Sequence, residues 1–318
     1  MDILPPDDSS PVLWRILDGR PGHRNQVIGL TDAIQRQISA RCHDVGVKSH
    51  LDGLRFLLPG SSRAVCNLPP PDLLIGAGHA THIPLLILRR RFGGRSIVLM
   101  KPTLPMSAFD LNLIATVDNL PSIPSNVITT VGPLNRMQPS DRISQSEGLI
   151  LIGGVSDHFE WSDQKILRQL AKILSSNDGV HWTLTTSRRT PASFLEAWAE
   201  SGLPGEMVPC EATSPDWMLQ MMRRAGRVWV SGDSMSMVFE ALTSGAAVGV
   251  LELAERRQTR VCRSVRQLIQ AGTVTAWSDW ADGKPLNRLS VPLREADRCA
   301  AEVIHRFLPG RLPQSRAA

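Results

Sequence analysis

Short apolar runs of roughly four to eight residues alternate along the chain with stretches whose apolar positions recur at helical spacing. In the first half the runs "VLWRIL" (12–17), "DLLIGA" (72–77), "SIVLM" (96–100), "LNLIAT" (111–116) and "VITTV" (127–131) predict strands. Helical spacing falls between them, over "RNQVIGLTDAIQRQIS" (24–39) and "HIPLLILRRRF" (82–92). The segment 132–148, rich in turn formers and polar residues, reads as a linker. A second series follows: strands at 149–154, 181–187, 227–232 and 247–253, with helices near 162–175, 191–201, 215–225 and 234–244. Apolar strands alternating with helices are the pattern of βαβ units and a mostly parallel sheet, so the class is α/β. The expected arrangement is two α/β domains, 1–140 and 141–318, with the last helix able to pack back on the first. Open sheets of this kind bind ligands beyond the carboxyl ends of their strands, so a central cleft between the halves is expected.

Composition agrees with two domains: 318 residues and 34.9 kDa exceed what a single core usually holds. A hydrophobic share of 42% beside 20% charged residues is that of a folded soluble protein, and no apolar run is long enough to span a bilayer. The start, "MDILPPDDSSP", carries acid and no apolar core, so it reads as a floppy lead and not a secretion signal, which implies a cytoplasmic protein. Cysteines 42, 66, 210, 262 and 299 form no C-x-x-C pair and are odd in number, as expected of reduced, mostly buried thiols. The net charge of +5 comes mainly from arginines in "LRRRFGGR" (88–95) and "ERRQTRVCRSVR" (255–266). These segments suit solvated helix faces, a phosphorylated ligand or an anionic membrane surface. With 5% aromatics, no tyrosine and no interleaving of rings with the basic runs, nucleic acid is disfavoured.

Four loops at strand ends carry the candidate chemistry. In "DGRPGHRNQ" (18–26), Gly19 and Gly22 permit close backbone approach, Pro21 fixes the turn, and His23 with Asp18 offers acid-base capability. "IGAGHATHIP" (75–84) resembles a dinucleotide fingerprint but has Thr81 at the third glycine's place, and His79 and His82 can line the cleft. "LIGGVSDHFEW" (151–161) offers Gly153, Gly154 and Ser156 as a phosphate cradle, paired with Arg188 and Arg189 of "TTSRRTP" (185–191). In "SGDSMSMVFEALTSG" (231–245), Asp233 or Ser234 can cap an amphipathic helix whose polar stripe carries Ser236, Glu240 and Thr243, with Met235, Val238 and Leu242 facing the core. Four residues at 1.5 Å each, about 6 Å, would let hydroxyls and N–H groups hold a diphosphate while Glu240 holds a ribose diol.

With these loops in view the sequence resembles the mitochondrial-fission (elongated-mitochondria) family, bacterial type, on "ILDGRPGHRNQVIGL" (16–30), "DLLIGAGHATHIP" (72–84), "LIGGVSDHFEW", "TLTTSRRTP" (183–191) and "VSGDSMSMVFEALTSGAAVGVL" (230–251). "DGRPGH" and "SRRTP" are fairly specific; the last stretch is shared with GT-B glycosyltransferases, above all the peptidoglycan lipid-intermediate N-acetylglucosaminyltransferase. The sequence departs from that enzyme in "RNQ" after His23 and in Arg20 and Pro21 in the first loop. The resemblance implies a GT-B-like fold of two Rossmann-like domains and a nucleoside-diphosphate sugar, UDP-linked, held by Gly153, Gly154, Ser156, Arg188, Arg189, Ser231, Gly232, Asp233, Ser234, Ser236 and Glu240. It implies an acceptor, lipid-linked or of the cell envelope, held by Gly19, Arg20, Gly22, Asn25, Gln26, Gly78 and His79, with His23 or Asp18 as general base. The expected site is the cytoplasmic face of a membrane, peripherally bound. Plant members are known as fission factors, so a non-catalytic adaptor with the same fold stands as the alternative.

An epimerase of the Tyr-x-x-x-Lys kind is excluded because the chain has no tyrosine, and "GDSMS" lacks the second glycine of a serine-hydrolase elbow. No H-E-x-x-H, C-x-x-C or D-x-D occurs, so no metal and no cofactor is expected; positive charge and helix dipoles would stabilise the leaving diphosphate.

Overall fold

The computed structural model describes residues 5–49, 56, 63–176, 179–214 and 216–311. The chain folds as two units: Met1–Arg136 with Glu295–Ala318, and Met137–Arg294. The division falls at Arg136, a few residues ahead of the expected 140.

In the first unit, strands β1 (Val12–Leu17), β2 (Arg41–Gly46), β3 (Leu73–Ala77), β4 (Arg95–Leu99), β5 (Leu111–Ala115) and β6 (Val127–Thr130) form a parallel sheet in the order β2-β1-β3-β4-β5-β6. Both faces are covered, and residues alternate between two cores: Leu13 packs with Val27, Leu30 and Ile34, while Val12, Trp14 and Ile16 pack with Leu85 and Leu88. The β2 stretch "RCHDVG" has no apolar run to betray it, because an edge strand leaves most of its side chains partly wet. Helix α1 (Pro21–Gln35) begins ahead of the expected residue 24, since proline at the first position has the right φ and needs no N–H partner. Helix α2 (His82–Phe92) stops at Gly93, whose φ of 82° lies in the region glycine tolerates.

In the second unit, β7 (Ser144–Leu151), β9 (His181–Thr185), β10 (Glu206–Val208), β11 (Ala225–Ser231), β12 (Ala247–Leu251) and β14 (Thr275–Ala276) form a parallel sheet in the order β10-β9-β7-β11-β12-β14. A two-strand antiparallel ribbon joins β8 (Phe159–Glu160) to β13 (Ala254–Glu255). The longer helices are α3 (Asp163–Leu174), α4 (Ala192–Ser201), α5 (Trp217–Arg224), α6 (Met235–Ser244) and α7 (Arg260–Gln270). The expected linker is shorter than 132–148, because the polar residues Ser144–Glu147 already pair in register, Ser144 with Ala225 and Glu147 with His181.

The last helix, α8 (Glu295–Phe307), belongs to the first unit. Its Ala296, Cys299, Ala300, Val303 and Ile304 join the core that holds Leu30 and Ile34 of α1. Arg36 pairs with Asp297 at 2.5 Å, and Gln37 donates to the Asp297 carbonyl at 2.9 Å.

Several expectations change. Residues 1–4 of the supposed lead lie outside the described residues, but from Asp7 it is folded: Asp7 Oδ1 accepts from Ser9 and Ser10, and Pro11 O accepts from Arg41 N–H. Only Cys262 and Cys299 of the cysteines are buried; Cys66 is exposed and Cys42 and Cys210 are intermediate. The arginines of 88–95 largely bond to the protein itself, Arg89 to Ser96, Ala108 O and Asp110, Arg91 to Phe56 O, and Arg95 to Asp110. Among the described residues no helix is long and apolar enough to cross a membrane.

Candidate functional site

Each sheet has a point where the chain reverses its direction of growth. In the first, β1 leads to β2 on one side and β3 then joins the other side of β1; in the second, β7 leads to β9 and β10, and β11 then joins the other side of β7. At such a point the loops leaving neighbouring strands diverge and open a crevice at their carboxyl ends. The sequence-predicted residues sit at these two places.

In the first unit the loop after β1 holds Asp18, Gly19 and Arg20. Gly19 takes φ 78°, and Asp18 Oδ1 accepts the Arg20 N–H at 3.1 Å. Asp18 Oδ2 lies 2.7 Å from His23 Nδ1, with the carboxylate side chain 3% exposed. A carboxylate only accepts, so Nδ1 carries the proton and Nε2 of the neutral ring carries the lone pair. The loop after β3 backs the ring: Gly78 has φ 82°, and a Cβ there would run into His23 Cε1 and Nδ1. Thr81, at the place of the missing third glycine, fixes this loop by donating to Gly78 O at 2.8 Å. A Cβ at Gly19 or Gly22 would meet open space; Asn25 and Gln26 are half-buried one turn further along α1, and His79 is exposed. His82 turns inward instead of lining a cleft. It is 2% exposed, 3.2 Å from Thr103 Oγ1 through Nδ1 and 5.5 Å from the Phe109 ring. Burial first, and neighbouring His79 second, push its pKa down to about 4, so it is neutral at physiological pH.

In the second unit three loops converge, those after β7, β9 and β11. Gly153 N–H donates to Ser231 Oγ at 2.6 Å, and Gly154 N–H to Asp233 Oδ2 at 3.0 Å. Arg189 Nη2 lies 2.7 Å from the same Asp233 oxygen, and its Nη1 donates to the carbonyls of Gly154 and Val155. The glycines are required: a Cβ on Gly153 would overlap the Asp233 carboxylate, and one on Gly154 the Arg189 backbone. Ser156 caps its own turn, accepting from His158 and Phe159 N–H groups, and Arg188 is exposed. Gly232 N–H continues the ladder to Leu251 O at 3.0 Å. Sequence reasoning passed over Ser187 and Thr190, both of which donate to Gly153 O, Ser187 at 2.8 Å. Their signal was the Ser-x-x-Thr turn spacing at a strand end.

Helix α6 differs from expectation in two ways. Ser234 occupies the N-cap position, but its side chain makes no capping hydrogen bond, and Asp233 is committed to Gly154 and Arg189. The helix is also buried nearly all round instead of amphipathic: Phe239, Glu240, Thr243 and Ser244 are buried with Val238 and Leu242. Glu240 is 4% exposed and accepts from Ser236 Oγ at 3.2 Å, one turn away on the same face. Among the described residues no group of three His, Cys, Asp or Glu could hold a metal ion.

The family model for mitochondrial fission ELM1 matches residues 21–307. The chain belongs to that family. No curated protein matches this ELM1-family chain by sequence. Its fold is similar to that of UDP-GlcNAc 2-epimerase from Methanocaldococcus jannaschii, at 11% identity and TM-score 0.58, over 92% of this chain and 99% of that one. A putative UDP-N-acetylglucosamine 2-epimerase from Listeria monocytogenes is similar at 13% identity and TM-score 0.58, over 98% and 100%. Phytolacca americana UGT2, solved with UDP-2-fluoro-glucose and pterostilbene, is similar at 12% identity and TM-score 0.50, over 94% and 90%. The ELM1-family chain therefore has a GT-B glycosyltransferase-like fold. Because a UDP-GlcNAc 2-epimerase and a putative one share this fold, the absent Tyr-x-x-x-Lys pair separates this chain only from epimerases that use that pair.

Proposed function

We propose that this ELM1-family protein binds a nucleoside-diphosphate sugar, UDP-linked, on its second unit and transfers the sugar to the hydroxyl of a lipid-linked or cell-envelope acceptor held by its first. The observation that carries this reading is the meeting of the glycine, serine and arginine loops at the β7–β11 switch point, with buried Glu240 one turn inside α6. A diphosphate at the N-terminus of α6 is stabilised by the helix dipole and by Arg188 and Arg189, while Glu240 accepts from the ribose hydroxyls. In the first unit His23 Nε2 takes the acceptor's proton, and Asp18 holds the ring and stabilises the imidazolium. The acceptor oxygen bonds the anomeric carbon as the bond from that carbon to the diphosphate oxygen breaks, and UDP leaves with the electron pair. That proteins of similar fold include a UDP-GlcNAc 2-epimerase and a UGT2 in complex with UDP-2-fluoro-glucose supports the donor class. Action at the cytoplasmic face of a membrane belongs to the same proposal and follows from the acceptor class.

Paired variants test it. Glu240→Gln should weaken UDP binding by roughly ten-fold or more, the worth of one charged hydrogen bond. His23→Gln should leave UDP affinity intact and slow transfer by about 10²-fold or more. Unchanged UDP affinity in Glu240→Gln sinks the ribose assignment, and wild-type binding with no turnover of any UDP sugar leaves an adaptor.

A further inference from the structure

The loops after β7, β9 and β11 enclose one buried carboxylate. The Asp233 side chain is fully buried at 0% exposure, and its Oδ2 accepts the Gly154 N–H at 3.0 Å and pairs with Arg189 Nη2 at 2.7 Å. Its Oδ1 is also buried and accepts no hydrogen bond from any described residue. The carboxylate lies directly over Gly153, where even a methyl group would overlap it. A glycine-loop N–H and a forked guanidinium are the two donors by which proteins hold phosphate oxygens, and here both converge on one protein carboxylate.

We propose that Asp233 is a resident counter-ion in the diphosphate seat, and that a nucleotide diphosphate binds by drawing Arg189 away from it. This rests on the nucleotide-sugar reading and names the step that opens the site. Arg189 is suited to the exchange: its side chain is 41% exposed, while Asp233 is fixed by burial. An incoming diphosphate carries more charge than the carboxylate and offers two oxygens in the plane of the guanidinium fork. Arg189 also donates to the Gly154 and Val155 carbonyls, so its movement frees two loop carbonyls at the same time. The cost is that the Asp233 charge stays nearby, unpaired and repelling the ligand; only an anion strong enough to outcompete it gains the seat. Asp233 thus sets a threshold that favours diphosphates over monoanions, and it acts as a positioning and selectivity residue without touching the reacting atoms.

Calorimetric titration of the full chain with UDP and, separately, with inorganic pyrophosphate tests this. Asp233→Asn keeps an acceptor for Gly154 N–H but removes the charge, and should bind both ligands roughly ten-fold tighter than the wild type, the effect of removing one like charge at short range. A purely structural Asp233 would give equal or weaker binding, and that result overturns the proposal. Arg189→Gln, at a partly exposed position, supplies a second reading that does not need the Asn variant to fold. It should weaken pyrophosphate binding about ten-fold, and unchanged affinity overturns the proposal equally. If pyrophosphate responds to both variants while UDP binds neither protein, the counter-ion stands and the nucleotide reading fails.

Discussion

Gly78 illustrates how one residue can hold another side chain in place. Its φ of 82° disfavours a side chain, and the space where a Cβ would stand is filled by the His23 ring. Gly78→Ala should therefore cost about 1–3 kcal/mol in denaturant unfolding and displace His23 from Asp18. A variant as stable as the wild type would show that the ring has room to shift. The Asp18–His23 pair was legible in the sequence because both residues lie within one strand-to-helix turn, five positions apart. Gly78 was legible only as a turn former, since the ring it supports comes from another loop. Asp233 was misread as a helix cap for the same reason: its partner N–H lies 79 residues away, and no local pattern announces it. His82 looked like a site residue by position, and its burial beside Thr103 and Phe109 was set by tertiary packing that the sequence does not display.

At the scale of elements, most helices and the longer buried strands were readable because each carries an apolar run or stripe, while α7 and the two-residue β14 were not read. The edge strand β2 and the polar start of β7 were not, since pairing there rests on backbone hydrogen bonds to a neighbour and not on side-chain burial. Helix α6 looked amphipathic because Ser236, Glu240 and Thr243 are polar, yet Glu240 and Thr243 are buried and half-buried Ser236 bonds to Glu240, so the stripe bonds within the helix. Helix α8, the last of the chain, packs on the first unit. Its apolar face completes the core around α1, and Ile304 at the centre is fully buried. Ile304→Ala should destabilise the first unit by about 2–5 kcal/mol. Hydrogen exchange read separately for the two units should show the loss in residues up to Arg136 and in α8, with 137–294 unaffected; equal loss in both would contradict the assignment of α8 to the first unit alone.

At the scale of the whole molecule, the sequence displayed two halves with one logic, but the sheets follow different orders, β2-β1-β3-β4-β5-β6 against β10-β9-β7-β11-β12-β14. Strand order depends on which edge each crossover joins, and that choice leaves no mark on hydrophobic spacing. What survives the difference is the switch point next to the first strand of each sheet, where the candidate residues gather in both units. In the basic segment 88–95, which from sequence suits a solvated helix face, a phosphorylated ligand or an anionic membrane surface, Arg89, Arg91 and Arg95 bond within the protein, and the proposed function rests instead on the arginine pair at the end of β9. The central claim is that the loops after β7, β9 and β11 hold a nucleotide diphosphate. Its most direct test is hydrogen exchange of the full chain with and without saturating UDP. The account predicts slowed exchange at residues 153–156, 187–190 and 231–240; no change there, or protection confined to other parts of the chain, would contradict it.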